Sequence, residues 1–181
     1  MSEVTVLALV GSLRADSVNR QIAGLAAETA PAGVRVTVFD GLGDLPFYNE
    51  DIDTPETVPA AAAALRDAAA RADAALVITP EYNGTIPAVL KNAIDWLSRP
   101  FGDGALKGKP LAVIGAAQGR YGGVWAHDET RKSFGIAGPR VLPEIKLSVP
   151  LGTLDGKHPA EHDRLVADVR DVVGKLVAEL R

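Results

Sequence analysis

No cysteine occurs in the 181 residues, which removes a disulfide framework, a thiolate nucleophile, cysteine-ligated zinc and cysteine-held iron–sulfur clusters at once. Any redox centre must be borrowed. Basic residues are outnumbered, 19 Lys and Arg against 23 Asp and Glu for a formal net charge of -4. Affinity for a phosphate backbone needs the opposite, clustered cations that release counterions. Nucleic acid is not an expected partner. No apolar run reaches the about eighteen residues of a spanning helix, and Met1-Ser2-Glu3-Val4 puts no basic region ahead of its short apolar stretch. A soluble cytoplasmic protein with no membrane partner is expected. What the chain does have is apolar bulk, 47% of its residues, enough at this length to bury one full core, so residues 1–181 read as a single domain.

Apolar, β-branched runs at Val4 to Val10, Val34 to Phe39, Ala74 to Thr79, Leu111 to Ile114 and Ile145 to Val149 have the length and continuity of strands buried on both faces. Helical patterns lie between them. Ile22, Leu25, Ala26 and Thr29 share one face of the first, Ala61 to Ala70 is alanine-rich around Leu65, and Val89, Leu90, Ala93, Ile94 and Leu97 stripe the third. A fourth helix is expected from about Gly123 to Phe134. In the last, Leu165, Val166, Val169, Val172, Val173, Leu176, Val177 and Leu180 form one stripe that should cover a sheet. Six acids and no base between Asp40 and Glu56 read as a solvated loop. Five strands alternating with five helices predict an α/β fold, a flavodoxin-like, doubly wound, five-stranded parallel sheet of order 2-1-3-4-5 with helices on both faces. Ligands of such sheets sit outside the carboxyl ends of the strands, at the switch between strands one and three.

Polar loops follow those two strands. In Gly11-Ser12-Leu13-Arg14-Ala15-Asp16-Ser17-Val18-Asn19-Arg20, Ser12 and Ser17 offer hydroxyls, Asn19 an amide and Arg14 a planar cation, at the start of a helix with unpaired N–H groups. That is a phosphate's environment. The alternative is that Ser17 merely caps the helix while Arg14 points into water. Gly11 is the loop's one glycine and no Gly-Lys-Ser/Thr follows, which disfavours dinucleotide and NTPase loops. In Thr79-Pro80-Glu81-Tyr82-Asn83-Gly84-Thr85-Ile86-Pro87, two prolines stiffen the ends, Gly84 permits close approach and Tyr82 can meet a flat heterocycle, with Asn83 and backbone N–H groups at its edge. A rigid turn with Tyr82 packed on the core is the bland alternative. Glu81 has no partner acid or nucleophile nearby in sequence and is assigned to orientation or capping, not proton transfer.

A third segment, Gly115-Ala116-Ala117-Gln118-Gly119-Arg120-Tyr121-Gly122-Gly123, follows the fourth strand, and its small residues let backbone approach a ligand or simply shape a turn. A phosphorylated planar cofactor, flavin mononucleotide, suits the first two loops. His158 and His162 are four apart but lack a third ligand, so no metal site is read. His127, Trp96 and Trp125 are read as packing or interface residues.

On the first loop, on Leu45-Pro46-Phe47-Tyr48-Asn49-Glu50-Asp51, on the run from Pro80 to Trp96 and on the segment from Gly115, the chain resembles the NADPH-dependent FMN reductase family, the flavodoxin-like quinone, chromate and azo-compound reductases. The resemblance implies that Ser12, Arg14, Ser17 and Asn19 hold the FMN phosphate, with Val18 also at the cofactor. Pro80, Glu81, Tyr82, Asn83 and Gly84 would line the isoalloxazine, with Ala116, Gln118 and Gly119 beside it. Arg99 matches a family position near the flavin of a neighbouring subunit. The chain departs where the family often has a serine, reading Ala116-Ala117-Gln118, and so lacks a hydroxyl contact there. A homodimer or homotetramer is implied, with Pro87 to Ser98 and the following loop near the interface, as are NADPH or NADH as hydride donor and a small-molecule acceptor such as a quinone, chromate, an azo compound or free flavin. Two other readings remain open at this point. A flavodoxin-type electron carrier would bind FMN without oxidising NAD(P)H, and a cofactor-free domain would serve only association.

Overall fold

β-branched and leucine-rich runs form five parallel strands in the computed structural model, which describes residues 3–180. Met1 and Ser2 of the N-terminal reading lie outside them. The strands are β1 (Val4–Val10), β2 (Val34–Phe39), β3 (Ala74–Ile78), β4 (Pro110–Ala117) and β5 (Arg140–Pro150), in the order 2-1-3-4-5. The helices are α1 (Val18–Glu28), α2 (Ala60–Arg71), α3 (Ala88–Leu97), α4 (Val124–Ala137) and α5 (Asp163–Ala178). Leu180, expected on the stripe of the last helix, lies beyond the end of α5.

Strand alternation divides the core in two. Val6, Ala8 and Val10 of β1, with Leu76, Ile78 and Ile114, face α1 and α5 through Ile22, Ala26, Leu165, Val169 and Val173. Leu7 and Leu9, with Val77 and Val113, face α2, α3 and α4 through Leu65, Leu90, Ile94, Trp96 and Phe134. Each Val, Leu, Ile or Phe side chain so removed from water contributes about 1.5–3 kcal/mol. Both faces being covered, the strands read as unbroken apolar runs.

The acidic stretch is solvated as expected at Asp40, Asp44, Glu50, Asp51 and Glu56, but not at Asp53. Arg66 on α2 grips Asp53 through two nitrogens at 2.6 and 2.8 Å, and the pair is only 21% and 11% exposed. That hydrogen-bonded fork holds the Asp53 carboxyl below the usual carboxylate range. Asn92 and Trp96 of α3 clamp the preceding loop. The Asn92 amide oxygen accepts from the Tyr48 N–H at 2.8 Å, and the Trp96 indole donates to the Pro46 carbonyl at 2.8 Å. Trp96 is therefore buried and turned inward, and it offers nothing to a neighbouring subunit.

β4 and β5 are longer than the apolar runs imply, since Pro110 and Gly115 to Ala117 pair with β5, and β5 carries a bulge. Between the pairs Leu111 with Val141 and Val113 with Lys146, β4 advances two residues and β5 five. Thr79 N donates to the Ile114 carbonyl, so that carbonyl faces β3 and the Val113 carbonyl faces the slipped side. Arg131 fills the gap. Its guanidinium, 7% exposed, donates to the Val113 carbonyl at 2.6 Å and to Asp128 at 2.9 Å. Replacing Arg131 with leucine strands that carbonyl and is expected to lower stability by about 1–3 kcal/mol. Urea unfolding should show a lower midpoint at unchanged slope. An unaltered midpoint would mean that the carbonyl needs no protein partner.

Candidate functional site

The connectors leaving β1, β3 and β4 meet on one rim, and three cross-links hold them there. Gly11 N donates to the Ile78 carbonyl at 2.9 Å, and a Cβ on Gly11 would collide with the Thr79 side chain. The Asn19 carboxamide donates to the Ala116 carbonyl at 2.9 Å and accepts from the Ala116 N–H at 2.8 Å, which ties α1 to β4. His127 of α4 sits fully buried between Thr79 and Ser148. Its Nε2 lies 2.9 Å from the Thr79 carbonyl, which can only accept, so Nε2 carries the proton and Nδ1 accepts from the Ser148 hydroxyl at 2.7 Å. Burial pushes this imidazole below its usual pKa, against the pull of the Thr79 carbonyl and with help from the nearby Arg131 charge.

Gly115 lies at the centre of these links. A Cβ there would run into the Thr79 carbonyl oxygen and come within 2.9 Å of both Asn19 Oδ1 and His127 Nε2. This glycine serves strand-to-strand approach rather than approach to a ligand. Gly122 has a similar duty, since its Cβ would sit 2.6 Å from the backbone of Ser148 and Val149. Gly119, by contrast, has open space around it.

After β3 the chain makes a two-residue hairpin. Tyr82 N donates to the Thr85 carbonyl at 3.2 Å, and Thr85 N donates back to Tyr82 at 3.1 Å. Asn83 and Gly84 take φ values of 52° and 76°, the left-handed pair that an Asn-Gly turn favours. The Glu81 carboxylate accepts from the Ala126 N–H at 3.2 Å and so caps the first turn of α4. Tyr82 stands half exposed above this fixed frame instead of packing on the core. The hairpin and residues 118–121 form an open shelf.

A family model described as NADPH-dependent FMN reductase matches residues 4–153. The chain belongs to this family. A quinone reductase of Pseudomonas putida is 46% identical over 135 residues, 74% of this chain and 72% of that protein. A quinone reductase of Escherichia coli K12 is 41% identical over 171 residues, 86% of this chain and 90% of that protein. Among solved structures, FerB, a flavoenzyme NAD(P)H:(acceptor) oxidoreductase from Paracoccus denitrificans, superposes with a TM-score of 0.80 at 30% identity. That match covers 98% of this chain and 95% of FerB. FMN is the family's cofactor and NAD(P)H its reductant.

The rim of this FMN reductase family member suits a phosphate on its own chemistry. Ser17 occupies the N-cap position of α1, yet its hydroxyl makes no capping bond and no acid lies in the first turn. Buried Ser12 and Ser17 and the open N–H groups of α1 therefore face a place where an anion is favoured. Asn19 keeps one N–H for such a ligand, the rest of its amide being committed to Ala116. Val18 is half-buried and Arg14 exposed at the same loop. A cleft of about 540 Å³ continues from Asp16, Val18 and Gln118 toward Leu151 and His158, and none of residues 80–84 lines it.

Arg99 lies elsewhere in the chain. Its Nε donates to the Tyr48 hydroxyl at 3.1 Å, in a cleft of about 750 Å³ shared with Glu50, Asp53 and Phe101. One copy of the protein does not bring Arg99 to the hairpin. Nor do His158 and His162 face a common ligand, since His158 caps the turn Pro159–Glu161 and His162 Nε2 bonds the Leu154 carbonyl at 3.0 Å. Of the packing and interface roles expected for Trp125, intrachain packing does not cover it, since it is 57% exposed beside the hairpin. A tyrosine and a tryptophan four residues apart, across a helix start, were the available signal.

The neutral, buried state of His127 has a pH consequence. Its folded-state pKa lies below the unfolded value of about 6.5, so the unfolded chain binds the proton more readily. This contribution to stability is complete above that value and declines as the pH falls through and below it. Urea midpoints measured between neutral and mildly acid pH should therefore fall more steeply for the wild type than for His127→Gln. Parallel pH profiles would show that His127 titrates as it does in the unfolded chain.

Proposed function

We propose that this chain is an FMN-dependent NAD(P)H oxidoreductase that takes hydride from NADPH or NADH and passes it to a quinone or a similar acceptor, such as chromate, an azo compound or free flavin. The observation that carries the reading is the meeting of the β1, β3 and β4 connectors on one rim, with an uncapped helix start at one end and a rigid Tyr-Asn-Gly hairpin at the other. Bound FMN supplies the hydride-accepting and hydride-donating centre, so the protein needs no acid–base pair.

The chain's residues bind and orient. Ser12, Ser17, Val18, Asn19 and the Arg14 guanidinium would hold the phosphate, with N–H groups of the α1 start beside them. Pro80, Glu81, Tyr82, Asn83 and Gly84 would face the ring system, together with Ala116, Gln118 and Gly119. Glu81 contributes through the frame it fixes, because its carboxylate is already occupied by α4. The open shelf leaves room for donor and acceptor to use one place in turn.

Pairing of chains belongs to the same reading. Phe101 and Ile136, 86% and 77% exposed, line one groove with Arg99 beside α3. A homodimer or homotetramer would cover part of it and could carry Arg99 to a neighbour's flavin. No helix among the described residues is long and apolar enough to cross a membrane, and the proposed location is the cytoplasm.

A visible spectrum tests cofactor and chemistry together. The purified protein, supplied with FMN, should show flavin absorbance that anaerobic NADPH bleaches and a quinone restores. Bound flavin that NADPH leaves oxidised would identify an electron carrier, and absence of any flavin binding would identify an association domain. Arg14→Ala should raise the Kd for FMN by about tenfold or more through lost charge-assisted hydrogen bonds, with little change in unfolding midpoint. An unchanged Kd would remove Arg14 from the phosphate site.

A further inference from the structure

Two Trp, three Tyr and four Phe are all the aromatic residues in the chain, yet two of the tyrosines and one tryptophan gather in the open around the hairpin. Tyr82 and Tyr121 are 47% and 51% exposed, and Trp125 is 57% exposed. Trp125 stands against the turn itself, where a Cβ on Gly84 would lie 4.0 Å from its Cε3 atom. Its ring and that of Tyr121 are tilted at 53° with centroids 5.9 Å apart. The Arg120 guanidinium extends the row, 4.7 Å from the centre of the Tyr121 ring.

This row is held from behind. The Gly122 backbone abuts Ser148 and Val149 of β5, Gly122 N donates to the Gly119 carbonyl at 2.9 Å, and Glu81 caps the α4 turn that carries Trp125. A stack so supported loses little freedom when a flat molecule enters. Arg120 takes part in none of the ion pairs among the described residues. Its N–H groups make no side-chain hydrogen bond among the described residues and so stand open to an acid. No residue from Gly115 to Trp125 is acidic, so no adjacent carboxylate on that segment competes.

We infer that the Arg120–Tyr121–Trp125 row is the specificity wall of the acceptor site, and that it selects planar acceptors carrying a negative charge, such as quinones bearing a sulfonate, a carboxylate or an ionised hydroxyl. The inference rests on the oxidoreductase reading above and adds the acceptor class to it. Trp125 supplies a face for the ring system, and Arg120 pairs with the acid group at its edge.

The test compares steady-state reduction of a naphthoquinone and of its monosulfonate by the FMN-loaded protein, its Arg120→Gln variant and its Trp125→Ala variant. Differences in intrinsic reactivity between the two quinones cancel in each wild-type-to-variant ratio. Arg120→Gln should lower kcat/KM for the sulfonate about tenfold more than for the parent quinone, the size expected when a charged group loses its hydrogen-bonded partner. Added salt should erode the wild-type preference for the sulfonate. Trp125→Ala should lower kcat/KM for both quinones.

Fluorescence supplies a readout independent of turnover, because Trp96 is buried and Trp125 is not. An anthraquinone sulfonate should quench the exposed tryptophan emission of the wild type, and Trp125→Phe should abolish that component. Equal losses for both quinones in Arg120→Gln would overturn the inference. So would a raised KM for NADPH with quinone selectivity intact, which would give the wall to the donor. Dissociation of subunits in Trp125→Ala without a change in kcat/KM would make the patch an interface and overturn it equally. Bound FMN and NADPH oxidation with an unshifted quinone ratio would sink the wall alone, whereas a wild type that binds no flavin would sink the oxidoreductase reading.

Discussion

The contact of Gly115 with the Thr79 carbonyl is the constraint on which the rim depends. Two parallel strands bring their carboxyl ends together there, and the absence of a side chain on one lets Asn19 and His127 reach the same point from α1 and α4. Each of those polar groups is buried, and each is satisfied, so the cluster does not incur the cost of an unpaired donor or acceptor in a dry interior. Three loops that would otherwise move independently are thereby held at fixed separation. A cofactor gripped at two ends needs that separation to be constant, since small displacements of a reacting centre are expensive in rate.

The polar residues around the rim fall into two groups that their bonding separates. Asn19, Glu81, His127 and Arg131 are already used by the protein, as strand tie, helix cap, strand-to-helix link and bulge filler. Ser12, Arg14, Ser17, Tyr82, Gln118 and Arg120 lie on the same rim without such duties. Residue type alone does not sort them, because a glutamate beside a tyrosine could equally be a base. Hydrogen-bond partners do sort them, and they leave the chemistry to a bound group rather than to a side chain.

Strand count, order and the rim itself were legible because runs such as Val4 to Val10 and Ala74 to Ile78 are apolar without a break, which only a sheet covered on both faces permits. The ends of β4 and β5 were not, since Pro143 and Glu144 interrupt the apolar run within the bulge and their tolerance there depends on Arg131, a residue from another element. Asp53 was misjudged as solvated for the same reason. Its partner Arg66 is on α2, and nothing local in sequence announces the pairing. The hairpin is the reverse case: Asn83-Gly84 is a strong local signal for a left-handed two-residue turn, and Tyr82's exposure follows from it. Asn19, read as a phosphate ligand from its place in the loop, turned out to be mostly engaged with Ala116, 97 residues away.

Rigidity in this fold is distributed unevenly, and the distribution follows from where polar groups are buried. The second clamp, in which Asn92 and Trp96 hold residues 45–48 against α3, fixes a loop on the far side of the helix that follows the hairpin. Since α3 begins directly after Pro87, the hairpin is anchored at one end by β3 and at the other by a helix that is itself tied to the β2 connector. Tyr48 packs edge-on to Trp96 with ring centres 5.0 Å apart, and Arg66 and Arg99 stack on those two rings. An aromatic and cationic cluster therefore stiffens the frame at α3, while a separate one, Tyr82 with Tyr121, Trp125 and Arg120, faces solvent at the hairpin. Burial distinguishes their roles: in the first, Trp96 is covered and bonded to Pro46 and Arg66 is paired with Asp53, whereas the second keeps its rings exposed and its guanidinium outside the ion pairs of the described residues. In a fold whose cofactor does the bond-making, such uncommitted surface is what remains to discriminate between substrates.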